Sequence, residues 1–84
     1  MADLKRLVEL VGRALADEPE AVRVSESERR SGTVFELQVA ARDLGRVIGR
    51  QGRTAAALRT LLNVAGEDDD RRVSLDIRDA NGRS

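Results

Sequence analysis

The sequence predicts an α+β fold in which a three-stranded mixed sheet carries its helices on one face. Apolar residues recur at helical spacing in three segments and alternate with polar residues in three others. These segments follow the order helix, strand, strand, helix, helix, strand (αββααβ). With 84 residues the chain has room for one core, so we expect a single domain over residues 1–84, with a polar tail over residues 79–84.

The first element is predicted to be an amphipathic helix from Asp3 to about Asp17. Asp3 is a favourable N-cap residue, and Pro19 cannot continue a helix. The apolar residues that repeat at helical spacing in this segment are Leu4, Leu7, Val8, Val11, Ala14 and Leu15. This pattern turns one face of the helix toward the core.

Two strands follow, each predicted by the alternation of apolar and polar residues. Val22 and Val24 mark the first strand, and the second is marked by Phe35, Leu37 and Val39. The polar segment from Glu26 to Gly32 is predicted to be a turn. A polar connection of this length between two alternating segments predicts an antiparallel hairpin.

A pair of helices is predicted next. Helical spacing resumes after Ala41 with Asp43, Leu44, Val47 and Ile48, until a Gly-x-x-Gly loop interrupts it. The buried stripe of the longer second helix is predicted to consist of Leu58, Leu61, Leu62 and Ala65, and Gly66 is predicted to be its C-cap.

The third strand is predicted after an acidic turn, Glu67 to Asp70. Val73, Leu75 and Ile77 alternate with polar residues there. If the second and third strands are neighbours, the helix pair becomes a crossover between parallel strands, which is expected to be right-handed.

The Gly-x-x-Gly loop, Gly49-Arg50-Gln51-Gly52, is the segment that carries most of the functional information. Two glycines three residues apart allow a sharp turn and a close approach of the backbone to another molecule. The unpaired N–H groups and positive dipole end of the helix that follows favour an anion. Arg50 and Arg53 add positive charge, and Gln51 can donate and accept hydrogen bonds. These features predict a site for a phosphate backbone, although a purely structural helix–helix turn is the alternative.

Gly45 leaves two interpretations open. A glycine inside a helix costs ~1 kcal/mol relative to alanine, so a close neighbour is expected at this backbone. That neighbour is either a bound ligand or a tightly packed helix or strand of the same chain.

The segment from Leu44 to Thr54, Leu-Gly-Arg-Val-Ile-Gly-Arg-Gln-Gly-Arg-Thr, resembles the signature of KH domains. The chain is most similar to the small bacterial single-KH proteins of the KhpA type. Its element order matches the bacterial, type II arrangement of that domain. The resemblance therefore implies a type II KH fold.

The resemblance also implies a function and a set of site residues. KH domains bind single-stranded RNA, with the Gly-x-x-Gly loop clamping about four nucleotides. The positions implied for RNA binding are Gly49, Arg50, Gln51, Gly52, Arg53, Arg46, Ile48, Leu44, Gly45 and Arg59. Among these, Leu44 and Ile48 would form the floor of the groove, whereas Arg46 and Arg59 could equally be ordinary surface charges.

Partners and cellular role follow from the same resemblance. KhpA-type proteins form homodimers and heterodimers with a second KH protein known as KhpB or Jag. They act on RNA after transcription, as regulators or RNA chaperones, and in some bacteria are linked to cell elongation, division and cell shape. For this chain, the edge of the Arg53–Ala65 helix is the expected dimer surface.

Charge distribution supports a small nucleic-acid footprint. Lys plus Arg and Asp plus Glu number 15 each, so the chain has no net charge. From Arg42 to Arg59, however, there are five arginines and one acid, Asp43. A non-catalytic RNA-binding protein is the leading hypothesis. The alternative is a protein–protein adaptor with a KH fold and incidental RNA contact.

Several other function classes find no support in the sequence. The chain has no Cys and no His, which removes thiolate metal sites, His-based triads and the commonest metal ligand. The acidic turn lacks the ligand spacing of a calcium loop. We expect no enzyme, no metal and no cofactor. No apolar segment approaches the ~20 residues of a membrane span, so a soluble cytoplasmic protein is expected.

Overall fold

The structure, a computed structural model, describes residues 3–67 and 72–82. Six main elements follow one another along the chain: α1 (Leu4–Leu15), β1 (Arg23–Arg29), β2 (Gly32–Val39), α2 (Leu44–Ile48), α3 (Arg53–Glu67) and β3 (Val73–Asp79). Three short 3₁₀ turns lie between them, at Pro19–Ala21, Ala41–Asp43 and Arg50–Gly52. The αββααβ order predicted from the sequence is confirmed.

The three strands form one mixed sheet in the order β1-β2-β3. β1 and β2 are antiparallel, with Val24 opposite Leu37. β2 and β3 are parallel, with Phe35 opposite Leu75. The helix pair is therefore the crossover between two neighbouring parallel strands, as the element order predicted.

The core lies between the helices and one face of the sheet. Alternate residues of β2 and β3 are buried on this face, and α1, α2 and α3 pack against it. The buried apolar side chains are Val8, Val22, Phe35, Leu37, Val39, Val47, Ala55, Leu58, Leu62, Val73, Leu75 and Ile77. At Gly12, a Cβ atom would lie 2.9 Å from Leu37 Cδ1, so this glycine lets α1 approach the sheet closely.

Helix α1 begins as predicted and ends slightly earlier. The Asp3 side chain caps the helix by accepting a hydrogen bond from Arg6 N at 3.1 Å. The last helical residue is Leu15, whereas the sequence predicted an end near Asp17. Residues 16–18 leave the helix and enter the turn that Pro19 begins.

Two predictions about α3 were wrong. Leu61 is 49% exposed and does not belong to the buried stripe, which Ala55 completes with Leu58 and Leu62. Gly66 is buried inside the helix, which continues to Glu67, so Gly66 is not a C-cap. Periodicity alone reveals neither which helix residues are buried nor where a helix ends.

The prediction that Glu26 to Gly32 forms a turn was also wrong. β1 continues through Arg29, and only Arg30 and Ser31 connect it to Gly32, the first residue of β2. The distal part of β1 is exposed on both faces, so its side chains show no alternation of apolar and polar residues. Cross-strand pairing extends the hairpin beyond the core, supported by a hydrogen bond from Thr33 Oγ1 to Glu28 Oε1 at 3.0 Å.

The end of the chain differs slightly from the expected tail. Asp79 is the last residue of β3, and its side chain is buried and accepts a hydrogen bond from Asn81 N at 2.9 Å. The predicted acidic turn lies, after Glu67, outside the described residues. Within residues 3–67 and 72–82, no helix is both long and apolar enough to cross a membrane.

Candidate nucleic-acid interface

The loop between α2 and α3 is a tight turn with three left-handed backbone positions. The φ angles are 85° at Gly49, 57° at Gln51 and 71° at Gly52. Gly49 N donates to Gly45 O at 2.9 Å, and Gly52 N donates to Gly49 O at 3.0 Å. Because a non-glycine residue in this region costs ~1–2 kcal/mol, the conformation of Gln51 is a strained feature of the kind that clusters at functional sites.

The two loop glycines are required for different reasons. A Cβ on Gly49 would clash with the Thr54 side chain at the start of α3, so the fold itself demands glycine there. A Cβ on Gly52 would meet nothing within 4 Å, and only the positive φ favours glycine at that position. The Gly52 side of the loop is therefore open to another molecule.

Positive charge at the loop is available to a ligand. Arg50 is exposed and, within the described part of the chain, makes no hydrogen bond or ion pair. Arg53 Nη2 donates to Gln51 Oε1 at 3.2 Å, and no acidic side chain among residues 3–67 and 72–82 pairs with its charge. Arg53 also begins the 15-residue helix α3, whose first N–H groups have no partner within the helix. The loop combines two exposed guanidinium groups with a helix N-terminus, which suits an anion.

One side of α2 forms a short apolar strip that leads to the loop. Leu44 and Ile48 are half-buried, one helical turn apart, and Gly45 lies beside them on the exposed side. A Cβ added to Gly45 would meet nothing within 4 Å. Packing among the described residues therefore does not require this glycine, and contact with a bound ligand at Gly45 stays a prediction.

The opposite side of α2, together with the 3₁₀ turn that precedes it, carries two arginines whose charges are already paired. Arg46 Nη1 lies 3.3 Å from Asp17 Oδ1. Arg42 contacts the same acidic segment, with Nη2 3.6 Å from Asp17 Oδ2 and Nε 3.1 Å from Glu18 Oε2. We call Asp17 and Glu18 the acidic corner. Only part of the positive charge predicted between Arg42 and Arg59 is therefore unpaired.

A buried carboxylate fixes the acidic corner beside α2. Asp43 is 1% exposed, and its two oxygens accept hydrogen bonds from Asp17 N at 3.1 Å and Glu18 N at 3.0 Å. The Glu18 N–H lowers the pKa of Asp43 most strongly, against the opposing effect of burial. The Asp17 N–H and the nearby Arg42 and Arg46 charges lower this pKa further.

A cleft of about 230 Å³ lies between α3 and β3, and we call it the edge cleft. It is lined by Arg59, Leu62, Asn63, Val73, Ser74 and Leu75. β3 is an edge strand, and Arg59 Nε donates to Leu75 O at 3.1 Å on its unpaired side. Arg59 is thus positioned by the backbone of β3.

Three residues of α3 lie along the side of the helix that borders the edge cleft. Ala56, Arg59 and Asn63 are separated by three and four residues, which places them along one side of the helix. All three are exposed, and Arg59 and Asn63 line the edge cleft. The loop residue Gly52 precedes this helix at its N-terminus.

Comparison with known proteins agrees with this geometry. The family model described as the KH domain of KhpA/KhpB matches residues 5–77. The chain belongs to the KhpA/KhpB family of KH domains. Its fold, as the element order and mixed sheet show, is the type II KH fold.

Curated relatives are similar over nearly their whole length. The RNA-binding protein KhpA of Halalkalibacterium halodurans is 49% identical over 76 residues, which cover 90% of this chain and 100% of that protein. The protein of the same name from Aquifex aeolicus is 47% identical over 77 residues, 92% of this chain and 98% of the relative. A third, from Borreliella burgdorferi, is 40% identical over 73 residues, 87% of this chain and 89% of the relative.

The structure brings most of the KH residues named from the sequence into one region. The loop residues, Arg53, and the strip of Leu44, Gly45 and Ile48 are contiguous. Arg46 points to the acidic corner and Arg59 to the edge of β3. The role of each in RNA binding stays a prediction.

Two structural features of this region, the contacts of Asp43 and the edge cleft, were not predicted from the sequence. The carboxylate of Asp43 joins segments 25 and 26 residues apart, a contact that no local pattern reveals. The edge cleft depends on the alignment of α3 with an edge strand, and only the spacing of Ala56, Arg59 and Asn63 gave a signal for that side of the helix.

A second exposed feature lies elsewhere on α3. Leu61 and Val64 are 49% and 57% exposed, and we call them the apolar patch. Three residues apart, they are neighbours on the helix surface, on a different side from Arg59 and Asn63. The described residues contain no group of three or more acidic, His or Cys side chains arranged to hold a metal ion.

Proposed function

We propose that this chain is a non-catalytic RNA-binding protein that clamps about four unpaired nucleotides. The relatives in this family carry the name RNA-binding protein KhpA. By the same family resemblance, its role is in the cytoplasm, after transcription, as a regulator of RNA or an RNA chaperone.

The geometry of the Gly49–Gly52 loop is the observation that carries the proposal. The loop presents backbone N–H groups at the start of α3, an unobstructed Gly52 and the charges of Arg50 and Arg53, which pair with no acid in the described part of the chain. Phosphate oxygens need such donors at short range. We assign phosphate contact to the loop backbone, Arg50 and Arg53, and contact with a sugar or base edge to Gln51.

The bases would rest on aliphatic surface rather than on aromatic rings. The sole aromatic residue, Phe35, is 3% exposed and belongs to the core. The strip of Leu44, Gly45 and Ile48 offers apolar area beside the loop. The edge cleft offers hydrogen-bonding groups, those of Asn63, Ser74 and Arg59, for bases farther along the RNA.

Binding of a short single-stranded RNA tests the proposal. Arg50→Asp with Gln51→Asp changes the loop charge by three units and keeps both glycines. Lys5→Asp with Ala14→Asp is the matched control, because it makes the same charge change at two exposed positions of α1, of which Ala14 was wrongly predicted to face the core. We expect fluorescence anisotropy to show that the loop variant loses binding while the control retains it. Equal affinities of the wild type and a folded loop variant would contradict the clamp.

The second proposed function is association with another KH domain, either a second copy or a KhpB/Jag-type protein. The exposed apolar patch of Leu61 and Val64 supports it, since it lies on a different side of α3 from the edge cleft and leaves that cleft open. A second linked site would raise RNA avidity by ~10²–10⁴. If association dominated and RNA contact were incidental, the chain would be an adaptor.

Sedimentation equilibrium at micromolar concentration separates these possibilities. We expect a wild-type homodimer, weakened by Leu61→Gln with Val64→Gln. A monomeric wild type with full RNA affinity would refute the homodimer. A dimer that binds no single-stranded RNA would favour the adaptor.

A further inference from the structure

We propose that the acidic corner, Asp17 and Glu18, is a specificity element that withholds Arg42 and Arg46 from RNA and so confines phosphate binding to the Gly49–Gly52 loop. The inference rests on the proposed RNA-binding function. It concerns residues outside the loop, the strip and the edge cleft.

The ion pairs on this side of α2 occupy both arginines. Arg42 and Arg46 are four residues apart, and Asp17 lies within 4 Å of both, at 3.6 and 3.3 Å. Glu18 adds a second acid to Arg42 at 3.1 Å. Two acids therefore balance two arginines at the start of the helix that leads to the loop.

The position of the acidic corner is built into the fold. The backbone N–H groups of Asp17 and Glu18 both donate to the buried carboxylate of Asp43, which lies at the start of α2. An exposed ion pair between two mobile side chains contributes little to stability. Here Asp43 anchors the backbone of Asp17 and Glu18. The two acids therefore stay next to the arginines whether or not the ion pairs stabilise the fold.

The charge distribution shows what the arrangement would accomplish. Arg46 is three residues before Gly49 and four before Arg50, so an unpaired Arg46 would extend the positive surface of the loop along α2. A longer positive track binds any phosphate backbone, duplex as well as single strand. Paired arginines leave a small positive site whose affinity depends on an unpaired strand entering the loop.

The test removes the two acidic charges and leaves their shape and their backbone anchoring unchanged. Asp17→Asn with Glu18→Gln keeps the N–H groups that bind Asp43. We expect affinity for a short single-stranded RNA to rise about threefold to tenfold at low salt. The log–log salt slope should become steeper by about 1.4, since two further contacts on a single strand add ~0.7 each. Affinity for a duplex RNA of equal length should rise by a larger factor.

A matched control separates a local effect from a change in net charge. Glu9→Gln with Asp76→Asn also removes two acids, each paired with an arginine elsewhere on the surface, at 3.5 Å to Arg13 and 3.7 Å to Arg78. We expect little change in affinity for this variant. An increase as large as that of the acidic-corner variant would overturn the proposal, because net charge alone would then explain it.

A second control identifies the arginines as the source of the gain. Adding Arg42→Ala and Arg46→Ala to the acidic-corner variant should return affinity and salt slope to the wild-type values. Persistence of the gain without these arginines would overturn the proposal, as would an acidic-corner variant whose affinity and slope match the wild type.

The outcomes also distinguish this proposal from the RNA clamp itself. If the wild-type chain binds no single-stranded RNA, the proposed function fails and this inference fails with it. If the wild type binds, Arg50→Asp with Gln51→Asp abolishes binding, and neutralising the acidic corner changes nothing, then the clamp stands and only this inference is wrong.

Discussion

The two sides of α2 differ in how fully their residues are paired within the protein. On one side, Arg42 and Arg46 pair with Asp17 and Glu18, whose backbone is anchored by Asp43. On the other side, Gly45 has open space beside it. The loop that follows has an arginine, Arg50, with no partner among the described residues. Internal contacts explain the residues on the first side, whereas on the second side Gly45 and Arg50 are left open to the external ligand that we propose.

A polar substitution at Ile48 should disturb both stability and RNA binding. Ile48 is half-buried beside Gly45 and belongs both to the core and to the strip. Ile48→Asp places a carboxylate in an apolar site, which costs ~1–3 kcal/mol or more. We expect a lower melting temperature together with loss of RNA binding, measured by thermal unfolding and anisotropy. A variant that lost neither would show that Ile48 does not line the groove.

Gly12 and Gly45 lie in different surroundings, so adding a side chain should have different effects at the two positions. Gly12 touches Leu37 and Val22 in the core, so Gly12→Leu should lower stability by about 1–3 kcal/mol through overpacking. Gly45→Ala adds its methyl group to open space and should leave stability equal or raised by up to ~1 kcal/mol.

Substitutions of Gly45 that preserve or raise stability should lower RNA affinity. We expect Gly45→Ala to weaken binding, and Gly45→Gln to weaken it further, because each side chain occupies the space that the ligand needs. Denaturant unfolding and anisotropy on the same samples check both properties. Full RNA affinity in Gly45→Gln would mean that the strand does not pass over α2 at this position.

Asp43 lies on the side of α2 where the arginines are paired, and its charge should make stability depend on pH. Its pKa is lower in the folded protein than the ~3.9 of an unfolded aspartate. It therefore contributes stability that is fully present above the unfolded pKa and is lost as the pH falls through the folded pKa. Asp43→Asn should have a lower melting temperature at pH 7, since an amide supplies only one acceptor oxygen for two N–H groups.

The difference between wild type and Asp43→Asn should shrink below about pH 4. Thermal unfolding at a series of pH values measures it. A difference that stayed constant from pH 7 to the acid limit would mean that the Asp43 charge does not stabilise the fold.

The same contrast explains what the sequence could and could not predict. Local signals were sufficient for the fold class, for the Gly49–Gly52 loop and for the N-cap Asp3, since each depends on nearby residues. They failed for β1, where pairing with β2 extends a strand that has no buried face. They also failed for Leu61, whose side chain is 49% exposed although its spacing matches the buried stripe.

The site shows the same division. The sequence from Leu44 to Arg53 was sufficient to predict the loop and the strip, because a tight turn and a short helix are local structures. The pairing of Arg46 with Asp17 spans 29 residues and depends on how the turn after α1 packs against α2. Sequence could nominate Arg46 by its charge, but only the fold reveals that an acid already neutralises it.

The salt dependence of RNA binding tests most directly the claim that phosphates are held at the loop alone. About 3–4 contacts on a single strand imply a log–log slope of roughly −2 to −3 for the wild-type chain. Replacing Arg50 and Arg53 by Ala should reduce the magnitude of that slope by about 1.4. A wild-type slope near −8, or a slope that these two substitutions leave unchanged, would contradict the account.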